Sequence, residues 1–150
     1  MGLLDSLKKE YCFYPVVGDD KHSVLSDLVS KFSSVLGYDG KREEEMLSAV
    51  EKRETLGSTG LEQGVAIPHA KMASLEKPLV AVGVLEKEID YGSVDGKATK
   101  VLFLVLGSDE YPNEHVQVLA EIAKLVKNSY FLTRILNVKS QKELQDLFFE

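Results

Sequence analysis

The sequence predicts one α/β domain, from three observations. Two amphipathic helical stretches precede two compact apolar strand runs, a broad-faced helix follows them, and glycine, proline or aspartate marks the boundaries. Val24, Leu25, Leu28, Val29, Phe32, Val35 and Leu36 recur at helical spacing behind the capping candidates Asp19 and Asp20, and the pattern stops at Gly37. A second helix is expected from about Lys41 to Thr55, with Met46, Leu47, Ala49 and Val50 apolar and Glu43 to Glu45 opposing the helix dipole; Gly57 ends it. Leu79 to Leu85 and Val101 to Leu106 read as strands, the second apolar enough to be covered on both faces. Asp95-Gly96 marks the turn between them, with short strand pieces expected around Ile89 to Tyr91. Pro112 suits the first turn of a helix running to about Asn128, because it has no N–H to lose there. Tyr130 to Leu136 reads as a short helix, and Ser140 to Glu143 has capping-box spacing ahead of Leu144, Leu147 and Phe148. Helices are therefore expected on both sides of a small sheet.

Length and composition narrow the function classes. The 150 residues fit one domain, expected to span 1–150, and 44% hydrophobic with 28% charged residues is an ordinary globular composition. A single cysteine, Cys12, excludes an intramolecular disulfide and suits a reducing compartment. Met1 to Glu10 lacks a leader pattern, and no apolar run nears the roughly 18 residues of a membrane span, so the expected location is cytoplasmic without membrane insertion. A net charge of −6 argues against non-specific nucleic-acid binding, which needs a cationic surface. Three dispersed histidines show no His-x-x-x-His or Cys-x-x-Cys spacing, and neither a Walker loop nor a Gly-x-Ser-x-Gly element is present. No metal or cofactor is expected.

The most specific stretch is Gly57-Ser58-Thr59-Gly60-Leu61-Glu62-Gln63-Gly64-Val65-Ala66-Ile67-Pro68-His69-Ala70-Lys71. Its glycines permit positive φ or close backbone approach, and its Ser, Thr and N–H groups can donate to an anion. Val65 to Ile67 reads as a few buried strand residues, which Pro68 must end or place at a sheet edge. His69 then emerges at a stiff strand end beside a polar loop. A neutral imidazole there has a nitrogen lone pair able to attack phosphorus. The plainer alternative is a histidine that caps a carbonyl or packs on a turn.

This stretch resembles the active-site region of the fructose and mannitol class of enzyme IIA domains in the bacterial phosphoenolpyruvate-dependent sugar phosphotransferase system, a pattern the nitrogen-related regulatory paralogue shares. The matching residues are Thr59-Gly60, Ala66-Ile67-Pro68 and His69, supported by Arg53-Glu54, Val80 to Leu85, Val94 to Lys97, Val101 to Leu106 and the helix carrying His115. The resemblance covers roughly residues 1 to 148. It implies a mixed rather than wholly parallel sheet. It also implies that His69 accepts a phosphoryl group from the histidine phosphocarrier protein and passes it to a sugar-specific IIB domain. The alternative is a regulatory IIA protein whose phosphorylation state controls binding to target proteins, without sugar transport.

Around His69 the resemblance supplies two further catalytic candidates, Arg53 and His115, and two phosphate-binding candidates, Thr59 and Gly60. Each also has a plainer reading. Arg53 can offer a forked guanidinium to phosphoryl oxygens, or simply complement the dipole of its helix terminus. His115, near a helix N-terminus, can donate to the phosphoryl group or face solvent. Thr59 can orient the phosphoryl group or stabilise its turn. Glu54 and His22 read as solvated. Leu61, Glu62, Ala70, Met72 and the start of the His115 helix are the expected partner-docking surface.

Overall fold

The computed structural model describes residues 3–108 and 110–149. Met1, Gly2, Asp109 and Glu150, which fall within the expected domain, lie outside the described residues. The elements run α1 (Leu3–Ser6), β1 (Leu7–Val16), α2 (Lys21–Leu36), α3 (Gly40–Thr55), β2 (Val65–Ala66), β3 (His69–Met72), β4 (Leu79–Ile89), β5 (Thr99–Ser108), α4 (Pro112–Val126), α5 (Ser129–Leu136) and α6 (Gln141–Phe149).

Local chemistry sets the helix ends. The Asp20 carboxylate accepts from Ser23 N at 2.8 Å, and Ser23 Oγ reciprocates toward the Asp20 backbone, so α2 starts on a two-way cap. It stops at Gly37, whose φ of 75° is the left-handed conformation glycine takes without penalty. Asp39 caps α3 through Arg42 N. That helix closes on Leu56, one residue before the glycine expected to end it. Only half of the expected box at α6 forms: Ser140 Oγ accepts from Glu143 N, while the Glu143 carboxylate reaches Lys139 N instead of the cap's own N–H.

The five-stranded sheet is mixed, as the family resemblance implies. β1 pairs parallel to β4, β4 antiparallel to β5, and β2 and β3 both parallel to β5. Val101 to Leu106 are wholly buried, as the continuous apolar run predicts, and Val80 to Leu85 match them on β4. At roughly 1.5–3 kcal/mol per buried aliphatic side chain, this pair of strands contributes substantially to the fold's hydrophobic stabilisation. β4 continues to Ile89, which pairs with Thr99, so the strand pieces expected near Ile89 belong to β4. β1 has no counterpart in the sequence reading: its Lys8-Lys9-Glu10 segment and Pro15 hide an edge strand whose charged residues stay in water.

One register feature positions the site. Val65 faces Val101, Ala66 faces Leu102, and His69 to Met72 face Val105 to Ser108, so β2 and β3 are two parts of one edge strand in constant register. Pro68 interrupts the ladder without ending it: it has no N–H to give toward β5, so one ladder bond is missing, but its carbonyl on the same side still accepts from Val105 N. His69 therefore starts the second half of an anchored strand.

Candidate functional site

A cleft of about 740 Å³ opens along the β3 edge, between the C-terminal turns of α3 and the N-terminal turns of α4. Arg53 and Lys52 line it from α3 and Leu56 from that helix's C-cap, His69, Ala70 and Lys71 from β3, and Pro112, His115 and Val116 from α4. Side chains alternate faces along a strand, so His69 and Lys71 share a face with Gly107, the ladder partner of Lys71. The charged lining residues are Lys52, Arg53 and Lys71, all cationic, although the whole chain carries a net charge of −6. A cleft of that sign attracts an anion.

His69 Nδ1 lies 2.8 Å from the Ile67 carbonyl oxygen. A carbonyl only accepts, so Nδ1 carries the proton and the Nε2 lone pair remains available. The His115 ring stands nearly perpendicular to it, 5.7 Å away between centroids and at 82°. His115 is only 5% exposed, which overturns the solvent-facing alternative. Its Nδ1 is buried with no hydrogen-bond partner, against Gly107, where a Cβ would lie 1.7 Å from that nitrogen. Burial holds its pKa below the usual histidine value, and His69 and Lys71 push the same way. The surroundings of His115 thus favour its neutral imidazole form. Gly107 is a site-building residue that sequence reading missed; a lone glycine in a strand run, where a backbone approaches closely, was the available signal.

Arg53 lies at the cleft wall with Nη1 donating to the Gly57 carbonyl at 2.8 Å, leaving its remaining N–H groups unengaged by any described residue. Thr59 and Gly60 do not line the cleft. Thr59 N donates to Glu54 Oε1 at 3.1 Å and its hydroxyl to Glu54 Oε2, while Gly60 N donates to Ser58 Oγ. Their donors are spent on Glu54 of α3 and on the loop itself. Glu54, expected to be solvated, instead has a side chain only 6% exposed, because Lys21, Thr59 and the Tyr91 hydroxyl enclose it. Burial alone raises its pKa, yet the bonds from Lys21 and Thr59 prevail and leave it lowered. His22 is on the surface as expected, paired with Glu51.

The docking surface also differs from expectation. Met72 alternates with Lys71, and so turns into the protein, where it is buried, whereas Ala70, although only 6% exposed, lines the cleft as expected. Leu61 and Glu62 line a separate cavity with Val94 and Val126. The exposed apolar residues flanking the histidines are Leu56 at 81% and Val116 at 64%. No helix among the described residues is long and apolar enough to cross a membrane.

An edge-strand histidine with its tautomer fixed, facing a second, buried histidine across a cationic cleft, is chemically able to attack an anionic phosphorus group. The family described as Phosphoenolpyruvate-dependent sugar phosphotransferase system, EIIA 2, matches residues 5–150, and the chain belongs to it. It is 28% identical over 149 residues to the fructose-specific EIIABC component of Bacillus subtilis, covering 98% of this chain and 23% of that protein. The chain thus spans about a quarter of that relative's length. It is 30% identical over 128 residues to a nitrogen regulatory protein of Bradyrhizobium diazoefficiens, covering 85% of this chain and 82% of that one. Among solved structures, the IIA-Ntr protein of Neisseria meningitidis superimposes with a TM-score of 0.83 at 22% identity, covering 95% of this chain and 96% of that chain. Enzyme IIA mannitol of Escherichia coli, solved in complex with phosphorylated enzyme IIB mannitol, gives 0.72 at 19% identity, covering 94% and 96%. At these identities the superpositions speak for the fold.

Proposed function

We propose that His69 is a phosphoryl carrier in the phosphotransferase system, and the observation that carries this reading is the Ile67 carbonyl bond that leaves its Nε2 lone pair in a cationic cleft. In the first step Nε2 attacks phosphorus of a phosphohistidine on the phosphocarrier protein. The N–P bond to the donor breaks and its electron pair returns to the donor imidazole. In the second step a cysteine thiolate of a IIB domain attacks the same phosphorus, and His69 recovers its lone pair as the new S–P bond forms. Splitting the transfer in this way keeps the group on a reactive nitrogen.

Catalysis of such a step is mostly positioning and charge stabilisation. Arg53 offers N–H groups from one wall. His115, with Nδ1 turned inward, presents Nε2 from the other, and its neutrality lets it donate without repelling an imidazolium on His69. The first turn of α4 adds backbone N–H groups, since Tyr111 supplies no side-chain cap to them. Thr59 and Gly60 act behind this layer, holding the loop. Leu56 and Val116 form the apolar centre of a docking face inside a charged rim, which suits transient partners that must take turns at one histidine. This chemistry belongs in the cytoplasm.

A regulatory reading, in which phosphorylation changes affinity for a target protein, is favoured by the 30% identity to a nitrogen regulatory protein. Incubation with phosphoenolpyruvate, enzyme I and the phosphocarrier protein tests the shared step. Wild type should acquire one acid-labile label and His69→Ala none; label retained by that variant, or mapped to His115, overturns the assignment. Transfer of the label onward to a IIB cysteine separates the sugar-transport reading from the regulatory one.

A further inference from the structure

Behind the cleft lies a cluster that the transfer chemistry above does not use. Glu54 accepts from Thr59 N at 3.1 Å, from the Thr59 hydroxyl, and from the Tyr91 hydroxyl at 3.0 Å, and pairs with Lys21 at 2.7 Å. Lys21 also stands over the Tyr91 ring, 4.4 Å from its centroid. Four elements of the chain meet at this carboxylate: the start of α2, the end of α3, the loop before β2 and the segment after β4.

Thr59 leads from that cluster to the nucleophile. Its carbonyl accepts from Ile67 N at 3.1 Å, and Leu61 N donates to Val65 O at 2.8 Å, so residues 59–61 form a strap paired along the outer side of the edge strand. The outward N–H and C=O of an edge strand ordinarily go to water and are free to tilt. Here both outward groups of Ile67 are engaged, the N–H by Thr59 and the C=O by His69 Nδ1. Pro68 follows directly and adds no N–H of its own to steady this peptide.

We propose that Glu54 is a positioning residue, which clamps the Thr59 strap onto the edge strand and thereby fixes the Ile67 carbonyl that selects the His69 tautomer. The role rests on the phosphotransfer reading only in its consequence, because a fixed Nδ1 proton is what keeps Nε2 free to attack. Arg53 gains from the same clamp, since the Gly57 carbonyl it holds lies two residues before Thr59. Glu54 touches no reacting atom.

The test uses the full chain and reads two quantities. Long-range imidazole ¹H–¹⁵N correlation spectra report the His69 tautomer, and single-turnover kinetics with phosphorylated phosphocarrier protein report transfer. In Glu54→Ala the His69 nitrogen shifts should move from the Nδ1–H form toward a mixture of tautomers, and the maximal rate should fall about ten- to a hundredfold with little change in the donor concentration for half-saturation. Glu51→Ala, which removes an exposed carboxylate three residues earlier on α3, should change neither. Tyr91→Phe removes one donor to Glu54 and keeps the ring, so it should shift the nitrogens in the same direction by less, and it decides the question if Glu54→Ala does not fold. Wild-type nitrogen shifts in a folded Glu54→Ala, or in Tyr91→Phe alone should that be the folded variant, overturn the proposal even if transfer slows. Absence of phosphate acceptance by wild type overturns the phosphotransfer reading instead, and the nitrogen shifts still judge the clamp.

Discussion

Replacing Gly107 with alanine probes how the second histidine is seated. A Cβ at Gly107 would lie 1.7 Å from His115 Nδ1, 2.5 Å from Cγ and 2.7 Å from Cε1, where ordinary contacts begin at 3.4 Å. The ring must therefore retreat by about 1.7 Å, or β5 must bulge away from it. Neither is easy, because His115 is buried and β5 is paired on both sides. Overpacking of this kind costs about 1–3 kcal/mol. For a domain of this size each kcal/mol lowers Tm by roughly 2–4 °C. If His115 contacts the phosphoryl group as proposed, displacing its ring by more than 1 Å should also slow transfer by about a hundredfold. A double-mutant cycle makes the reasoning strict. In a His115→Ala background the clash is gone, and Gly107→Ala should be neutral or even stabilise by about 0.4–1 kcal/mol through the unfolded chain. Equal destabilisation in both backgrounds, measured by urea unfolding, refutes the proposed seating.

Arg53→Ala should slow single-turnover transfer by about 10² to 10³, with Arg53→Lys failing to restore it because an ammonium cannot reproduce the guanidinium fork; wild-type rates in either variant exclude Arg53 from phosphoryl contact. His115 has its pKa lowered from the ordinary 6.5, so the unfolded chain binds that proton first on acidification. Its contribution to stability is thus complete above 6.5 and is lost as pH falls toward the folded value, a slope that His115→Ala should remove from unfolding curves measured between pH 7 and 5. Leu56→Glu and Val116→Glu, at exposed positions flanking the cleft, should leave Tm within a degree or two and weaken partner binding at least tenfold in titration calorimetry. Unchanged affinity in both places the docking face elsewhere.

The legible parts of the fold are those where local chemistry decides. Asp20, Gly37 and Pro112 mark helix ends because caps and φ preferences act within a few residues. β5 was legible because a strand covered on both faces is apolar throughout. β1 was not, since an edge strand can keep charges in water and tolerate a proline, which erases the period-2 signal. Met72 was misplaced for a different reason: alternation along β3 sends it inward, a rule available in the sequence once the strand is taken as continuing past Pro68.

The site divides along the same line. His69, Arg53 and His115 are of types suited to chemistry that few residues can perform, so type and spacing already point to them as candidates. Glu54 differs, because its environment comes from Lys21 and Tyr91, which lie 33 residues before it and 37 after it in the chain. A glutamate in the last turn of a polar helix reads as solvated until its distant partners are known. The cost of desolvating a carboxylate is tolerated only where donors replace water, and here one cation, two hydroxyls and a backbone N–H do so. Such an investment in a buried charge beside the loop that borders the nucleophile requires the loop, and not only the nucleophile, to hold its place. What the motif displays as a run of Thr-Gly and Ile-Pro-His is therefore a strap and the strand it holds, and the histidine's reactivity depends on the bond between them.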